Sequence, residues 1–263
     1  MNLTKQQILA EMGLSPLWEL RHKAPVQPNA PDDAQAVPAP LSPSSALAAS
    51  TVTAAAAAPE SEPAPVLDLS WEPLATSVTA CRACRLCEQR QQAVFGVGDR
   101  VASWLFIGEG PGADEDAQGE PFVGVAGQLL DAMLAALDLS RRADVYIANA
   151  VKCRPPGNRT PEASEIAACR PYLERQIALL QPKIIVLLGR AAVHAVLGKD
   201  DTLSSLRGKT FAYRAGERDI PVVVTYHPAY LLRTLSDKAK AWEDLCRARA
   251  LMRAAKQEAA LAI

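Results

Sequence analysis

The sequence predicts an α/β protein: three α/β/α layers around a central, mainly parallel sheet, with a disordered N-terminal extension. Three observations predict it. Two short, continuous apolar runs, residues 103–107 (SWLFI) and 183–188 (KIIVLL), lead into glycine-bearing segments followed by apolar residues at helical spacing. Strands with no polar alternation belong to sheets covered on both faces. Residues 24–65, by contrast, hold nine prolines, an alanine tract at 54–58 and no aromatic residue. Such a stretch cannot bury enough apolar surface to offset the entropy of ordering it. The 263 residues therefore divide into a short segment 1–23, a disordered linker 24–70 and one globular body 71–263.

The net charge of −1 conceals an asymmetry: residues 1–80 carry three Lys/Arg against eight Asp/Glu, and the rest 25 against 21. A mildly basic body permits nucleic-acid contact without demanding it. Residues 1–5 (MNLTK) lack the apolar core of a signal peptide, and no apolar run reaches the roughly 18 residues of a membrane span. A soluble, cytoplasmic, monomeric protein is expected. In a reducing cytosol its six cysteines suit metal binding or core packing better than disulfides.

Residues 1–23 read as a small helix: Thr4 and Gln7 form a capping box, Leu3 and Ile8 a hydrophobic staple, and Gly13 a stop. Leu14, Leu17, Trp18 and Leu20 follow as an apolar cluster. Such a motif docks in a partner's groove or packs back on its own body. The 42 residues of 24–65, acting as its tether, span roughly 35 Å by random-coil scaling.

Residues 76–95 carry Cys81-x-x-Cys84-x-x-Cys87, half of a metal site, and Cys153 and Cys169 supply a second pair. Four such thiolates suit tetrahedral zinc or an iron-sulfur cluster, and small buried thiols remain the alternative. If the first stretch is helical, Cys81 and Cys84 lie about 60° apart around the axis, and Cys87 falls off their face. Cys246 reads as a core or surface thiol.

The loop 108–127 (GEGPGADEDAQGEPFVGVAG) joins the first strand to a helix over 128–138. Carboxyl ends of strands in open α/β sheets are where ligands bind. Gly108, Gly110, Gly112, Gly119 and Gly124 let backbone approach a ligand, while Glu109, Asp114, Glu115 and Asp116 would repel a pyrophosphate. No Gly-Lys-Ser/Thr follows, which excludes a P-loop. A neutral planar ligand fits better, with Phe122 to stack on it.

A strand over 145–151 places Asn149 near its end, on the same sheet edge as the glycine loop if the two strands are parallel. Lys152, Arg154 and Arg159 make the next loop basic, suited to phosphates. Cys169 lies in the helix after Pro161. Residues 208–214 form a short strand or hairpin arm, and 221–225 (PVVVT) the last strand. It delivers Tyr226-His227-Pro228-Ala229-Tyr230-Leu231-Leu232-Arg233. An imidazole held there can donate to a developing anion.

GEGPGADEDxxGxPFVGxAGxLL, the Cys81-x-x-Cys84 pair, NxVKCRPPxNRxP and HPAYLLR, in that order over residues 76 to about 235, closely resemble family four of the uracil-DNA glycosylases, enzymes that carry a 4Fe-4S cluster. The resemblance implies the uracil-DNA glycosylase-like fold and cluster ligation by Cys81, Cys84, Cys153 and Cys169. It implies that Phe122 stacks on uracil, Asn149 reads its polar edge and His227 faces O2. Glu109 and Gly110 would line the pocket, with Glu115 near the base or the attacking water. Leu231, Leu232 and Arg233 would enter the duplex, and Arg159 would lie against DNA, single- or double-stranded. A carboxamide's acceptor and donors match the N3–H and O4 of uracil and mismatch cytosine.

Release of uracil as an anion, water attack and an abasic product without strand cleavage are the expected chemistry, since no lysine nucleophile is indicated. A related group forms a covalent DNA adduct through a histidine-bearing insertion that this chain lacks, so ordinary turnover is expected. The alternatives are a non-catalytic iron-sulfur or zinc-stabilised module that binds DNA or a polymerase, and a zinc-stabilised nucleotide-binding protein.

Overall fold

The computed structural model describes residues 66–261, side chains as far as 257. The helix expected over 1–23 and the linker as far as residue 65 lie outside the described residues. The described residues begin at Val66, five positions before the expected start of the body. Val66–Asp68 forms a 3-10 turn, and Arg175 Nε donates to the Leu69 carbonyl at 2.5 Å.

The elements follow in order: α1 (Trp71–Ala80), β1 (Val97–Gly98), β2 (Trp104–Gly108), α2 (Ala113–Gln118), α3 (Val125–Ala135), β3 (Val145–Asn149), α4 (Ala163–Leu180), β4 (Ile184–Leu188), α5 (Arg190–Leu197), α6 (Leu203–Leu206), β5 (Thr210–Ala215), β6 (Arg218–Thr225), α7 (Pro228–Leu231) and α8 (Lys238–Leu261). The six strands form one sheet in the order β1-β3-β2-β4-β6-β5. The middle four run parallel, while β1 and β5 pair antiparallel at the two edges. The mainly parallel sheet read from the apolar runs is present.

Every residue of β2, β3 and β4 is buried, because helices cover both faces. Leu105, Ile107, Ala148, Ile185 and Leu187 pack against Leu74 of α1 and Ile166 and Leu173 of α4. Trp104, Phe106, Ile147, Ile184 and Val186 pack against Leu130 and Leu134 of α3 and Leu245 and Met252 of α8. The two-residue side-chain period of a strand thus feeds two separate cores. Among the described residues no helix is long and apolar enough to cross a membrane.

Three local readings change. The cysteine stretch is not one helix: α1 stops at Ala80, Cys81 turns out of it at φ −59°, ψ 134°, and a 3-10 turn covers Arg85–Glu88. The glycine loop contains α2, closed by Gly119 in the left-handed region at φ +78°. The strand expected over 145–151 ends at Asn149. Chain order then places the carboxyl ends of β2, β3, β4 and β6 at one rim of the sheet, with β2 between β3 and β4, where the winding reverses.

Candidate active site

A cavity of about 830 Å³ opens at that rim, and each central strand sends residues into it. Glu109, Gly110 and the loop through Phe122 follow β2; Asn149 ends β3; Gly189 and Arg190 follow β4; Tyr226 and His227 follow β6. Gly108 pairs directly with Asn149 across β2 and β3, so the glycine loop and the carboxamide leave the sheet side by side.

Phe122 is held by backbone rather than by its ring. Its φ of +57° lies in the left-handed region, where non-glycine residues carry a cost on the order of 1–3 kcal/mol and recur at functional sites. Arg141 Nη2 donates to its carbonyl at 2.8 Å, and Gly127 packs so closely that an added Cβ would meet that carbonyl oxygen at 1.7 Å. The ring is buried at the cavity wall. A Cβ on Gly108 would lie 2.6 Å from Phe122 Cζ and 2.4 Å from Asn149 Oδ1, so only glycine lets these two side chains meet.

Asn149 is 2% exposed, and among the described residues its Oδ1 has no hydrogen-bond partner. A buried acceptor left open in this way costs about 1–3 kcal/mol and awaits a donor. His227 Nδ1 accepts from the Ala229 amide at 3.1 Å as it caps α7. That bond leaves the proton on Nε2. Burial pulls the imidazole down to about 4, with Glu115 opposing and Arg233 adding to the shift. His227 is therefore a neutral donor at physiological pH. Its ring lies 5.3 Å from that of Phe122 at 27°, too close for a third ring to enter between them.

The two carboxylates differ. Both Glu115 oxygens are engaged, Oε2 by the Gly112 amide at 3.0 Å and Oε1 by the Val123 and Gly124 amides at 2.9 and 3.1 Å. Glu115 ties the two ends of the glycine loop together. Glu109 accepts from the Ala191 amide at 3.2 Å at the start of α5, and burial raises its pKa above the ordinary carboxylate value. Gly110 packs on Val151, where an added Cβ would approach Cγ2 to 2.8 Å.

On the outer face the structure sorts the basic and apolar candidates. Arg159 reaches the cavity but pairs with Glu165 at 2.6 Å. Leu232 and Arg233 are exposed, and Arg233 lines the cavity. Leu231 is corrected: it is 1% exposed, turned inward by α7 against Tyr226 and Ala241. No duplex can touch it there. Lys152 is corrected too, being 1% exposed, with its Nζ hydrogen-bonded to the Asn149 carbonyl at 3.0 Å and to Gln176 Oε1 at 2.6 Å. It is closed to phosphate.

Cys81, Cys84, Cys153 and Cys169 line one small cavity near the α1 end, and Cys87 lines it as well. The expectation that Cys87 falls off a shared face fails because the stretch is a loop. Arg90 Nη1 donates to Cys153 Sγ at 2.9 Å, and the Lys152 amide to Cys169 Sγ at 3.3 Å. Burial pushes the Cys169 thiol up to about 12. Among the described residues no three Cys, His, Asp or Glu side chains are arranged to hold a single metal ion. Cys246 is partly exposed on α8, apart from this cavity.

The family model described as the uracil DNA glycosylase superfamily matches residues 95–246. The chain belongs to the uracil-DNA glycosylase superfamily. Within the superfamily it is similar to the type-4 uracil-DNA glycosylase of Sulfurisphaera tokodaii, 44% identical over 167 residues that cover 62% of this chain and 76% of the relative. It is also similar to the type-4 enzyme of Archaeoglobus fulgidus, at 42% identity covering 62% and 83%. The type-4 enzyme of Thermotoga maritima is 42% identical over 179 residues, 67% and 91% of the two chains. The superfamily match contains the Gly108–Asn149 pair and His227 and begins after the Cys81–Cys87 loop. Four contributors escape a reading of the sequence: Arg141, Gly127, Arg90 and the Ala229 amide. Only Gly127 leaves a trace, as the last glycine of the 108–127 loop.

Proposed function

We propose that this chain is a monofunctional uracil-DNA glycosylase of the type-4 kind. It would hydrolyse the N-glycosidic bond of uracil in DNA, acting as a cytoplasmic monomer. The observation that carries this reading is the open Asn149 Oδ1 at the same rim as a neutral His227 whose Nε2 carries the proton. Uracil offers N3–H to the first and O2 to the second. Cytosine presents an acceptor at N3, leaving the carboxamide oxygen unpaired at about 1–3 kcal/mol per group.

The base must first leave the duplex stack, at a cost of a few kcal/mol. Leu232, exposed beside the cavity mouth, and Arg233 are suited to fill the space it leaves, and Arg159 lies at the rim where the backbone passes. Phe122 offers the face on which the base rests. Because the Phe122 and His227 rings are only 5.3 Å apart, the base lies on Phe122 with its edge toward the imidazole rather than between the rings.

As the bond from N1 to the sugar breaks, negative charge moves to O2, where the His227 Nε2–H donates without first needing a proton. Each such prearranged donor contributes on the order of 2.7–4 kcal/mol to lowering the barrier. Glu109 is the freer of the two carboxylates and the one assigned to the attacking water. Glu115, saturated by amides, holds the loop and adds negative potential near the cationic sugar. The thiols of Cys81, Cys84, Cys153 and Cys169 share one small cavity, and in this reading those four would hold a 4Fe-4S cluster. That cluster would cross-link the loop after α1 to the segment after β3 and take no part in bond cleavage.

Incubating the full chain with a uracil-bearing oligonucleotide, then cleaving with alkali, tests the proposal. Strand breaks at uracil and none at thymine or cytosine are expected. No breaks would reject it.

A further inference from the structure

Among the described residues Lys152 is the only buried lysine or arginine, and no carboxylate pairs with it. Its ammonium donates to two neutral oxygens, the Asn149 carbonyl at 3.0 Å and Gln176 Oε1 at 2.6 Å. Gln176 is itself fixed through Nε2 to the Phe95 carbonyl at 2.9 Å and Tyr146 Oη at 3.4 Å. Two hydrogen bonds satisfy donors but leave the charge uncompensated, and a buried cation without an anion is costly. The ionisable groups that act on its charge are the thiols of Cys169 and Cys153. Lys152 lines the thiol cavity, its own amide donates to Cys169 Sγ at 3.3 Å, and Cys153 is the next residue.

We propose that Lys152 is a positioning residue that joins the two sites: its buried ammonium balances the thiolate charge of Cys153 and Cys169, and its bond to the Asn149 carbonyl aims the carboxamide that reads the base. The inference rests on the reading of the thiols as cluster ligands. It explains why a lysine in a basic loop faces inward, away from phosphate. It also gives the cysteine site a route to base recognition that is four residues long.

The test uses the full-length holoprotein as wild type, Lys152→Met, Lys152→Arg and Gln176→Glu, with three readouts: iron per chain, the midpoint potential of the cluster in a dye-mediated titration, and single-turnover uracil release at saturating DNA. One-electron reduction adds negative charge beside the ammonium. Lys152→Met should therefore lower the potential and slow release by roughly 10- to 100-fold, the range for groups that support ligands from behind. DNA affinity should be unchanged. Lys152→Arg should restore the potential more than the rate, because it returns the charge but not the fit to Asn149. Gln176→Glu, which neutralises the cation from the far side, should shift the potential in the same direction and decides the matter if Lys152→Met does not fold. A folded Lys152→Met protein that fails to hold iron also supports charge balance. Iron-loaded Lys152→Met, or Gln176→Glu in its place, with wild-type potential and rate overturns the inference alone. Wild-type protein without iron overturns the cluster reading and this inference with it.

Discussion

Gly108→Ala puts the least chemistry and the most geometry at stake. The added Cβ would sit 2.4 Å from Asn149 Oδ1 and 2.6 and 2.7 Å from Phe122 Cζ and Cε2. Comfortable carbon contacts lie near 3.5 Å, so each is short by about 1 Å. Neither neighbour can withdraw through its backbone. Asn149 is the direct ladder partner of Gly108, and Phe122 is pinned between Gly127 and Arg141. The side chains must swing instead, and about 1 Å of misplacement at a reacting centre costs on the order of 100-fold. Overpacking itself should lower stability by only about 1–3 kcal/mol. Single-turnover uracil release, read with a thermal melt and iron content, should show that loss in a folded, iron-loaded protein. Release within a few-fold of wild type would refute the claim that Gly108 lets the pocket form.

Other residues give sharper signs. His227→Ala should slow release by hundreds-fold or more, the effect of losing one prearranged donor; wild-type rates would remove His227 from the mechanism. The folded His227 titrates at about 4 against about 6.5 unfolded, so the unfolded chain binds its proton first as pH falls. Its contribution is full above pH 6.5 and declines toward pH 4 by about 3 kcal/mol. Urea unfolding of wild type should thus weaken with acid more steeply than that of His227→Gln, and parallel curves would contradict the buried neutral imidazole. Cys84→Ser should lose visible absorption, iron and stability together, and a stable, colourless, active variant would contradict a structural cluster. Leu232→Ala should impair release from duplex more than from single strands, since only the duplex has a base stack to open; equal losses on both would count against a wedge.

Much of the fold was legible because its strands are buried on both faces. Continuous runs such as IIVLL can belong only to a covered sheet or a core helix, and the glycines that follow resolve the choice. The meeting of Phe122, Asn149 and His227 followed from strand ends sharing one rim. What stayed hidden depends on rotation about an axis or on distant partners. Leu231 and Leu232 are neighbours of the same type, and only the single turn of α7 buries the first and exposes the second. Lys152 stands in a basic run, yet the close of β3 at Asn149 turns it inward. Cys87 was set aside on helical angles that do not apply, because α1 ends at Ala80. Arg90 reaches Cys153 across 63 positions, a contact that no local pattern encodes.

The central claim is that a phenyl ring, an open carboxamide oxygen and a neutral imidazole enclose one uracil. A crystal structure of the protein soaked with free uracil tests this most directly. The account predicts the base flat on Phe122, N3 within hydrogen-bond distance of Asn149 Oδ1 and O2 facing His227 Nε2. Uracil bound elsewhere, or in this cavity with N3 turned away from Asn149, would contradict it.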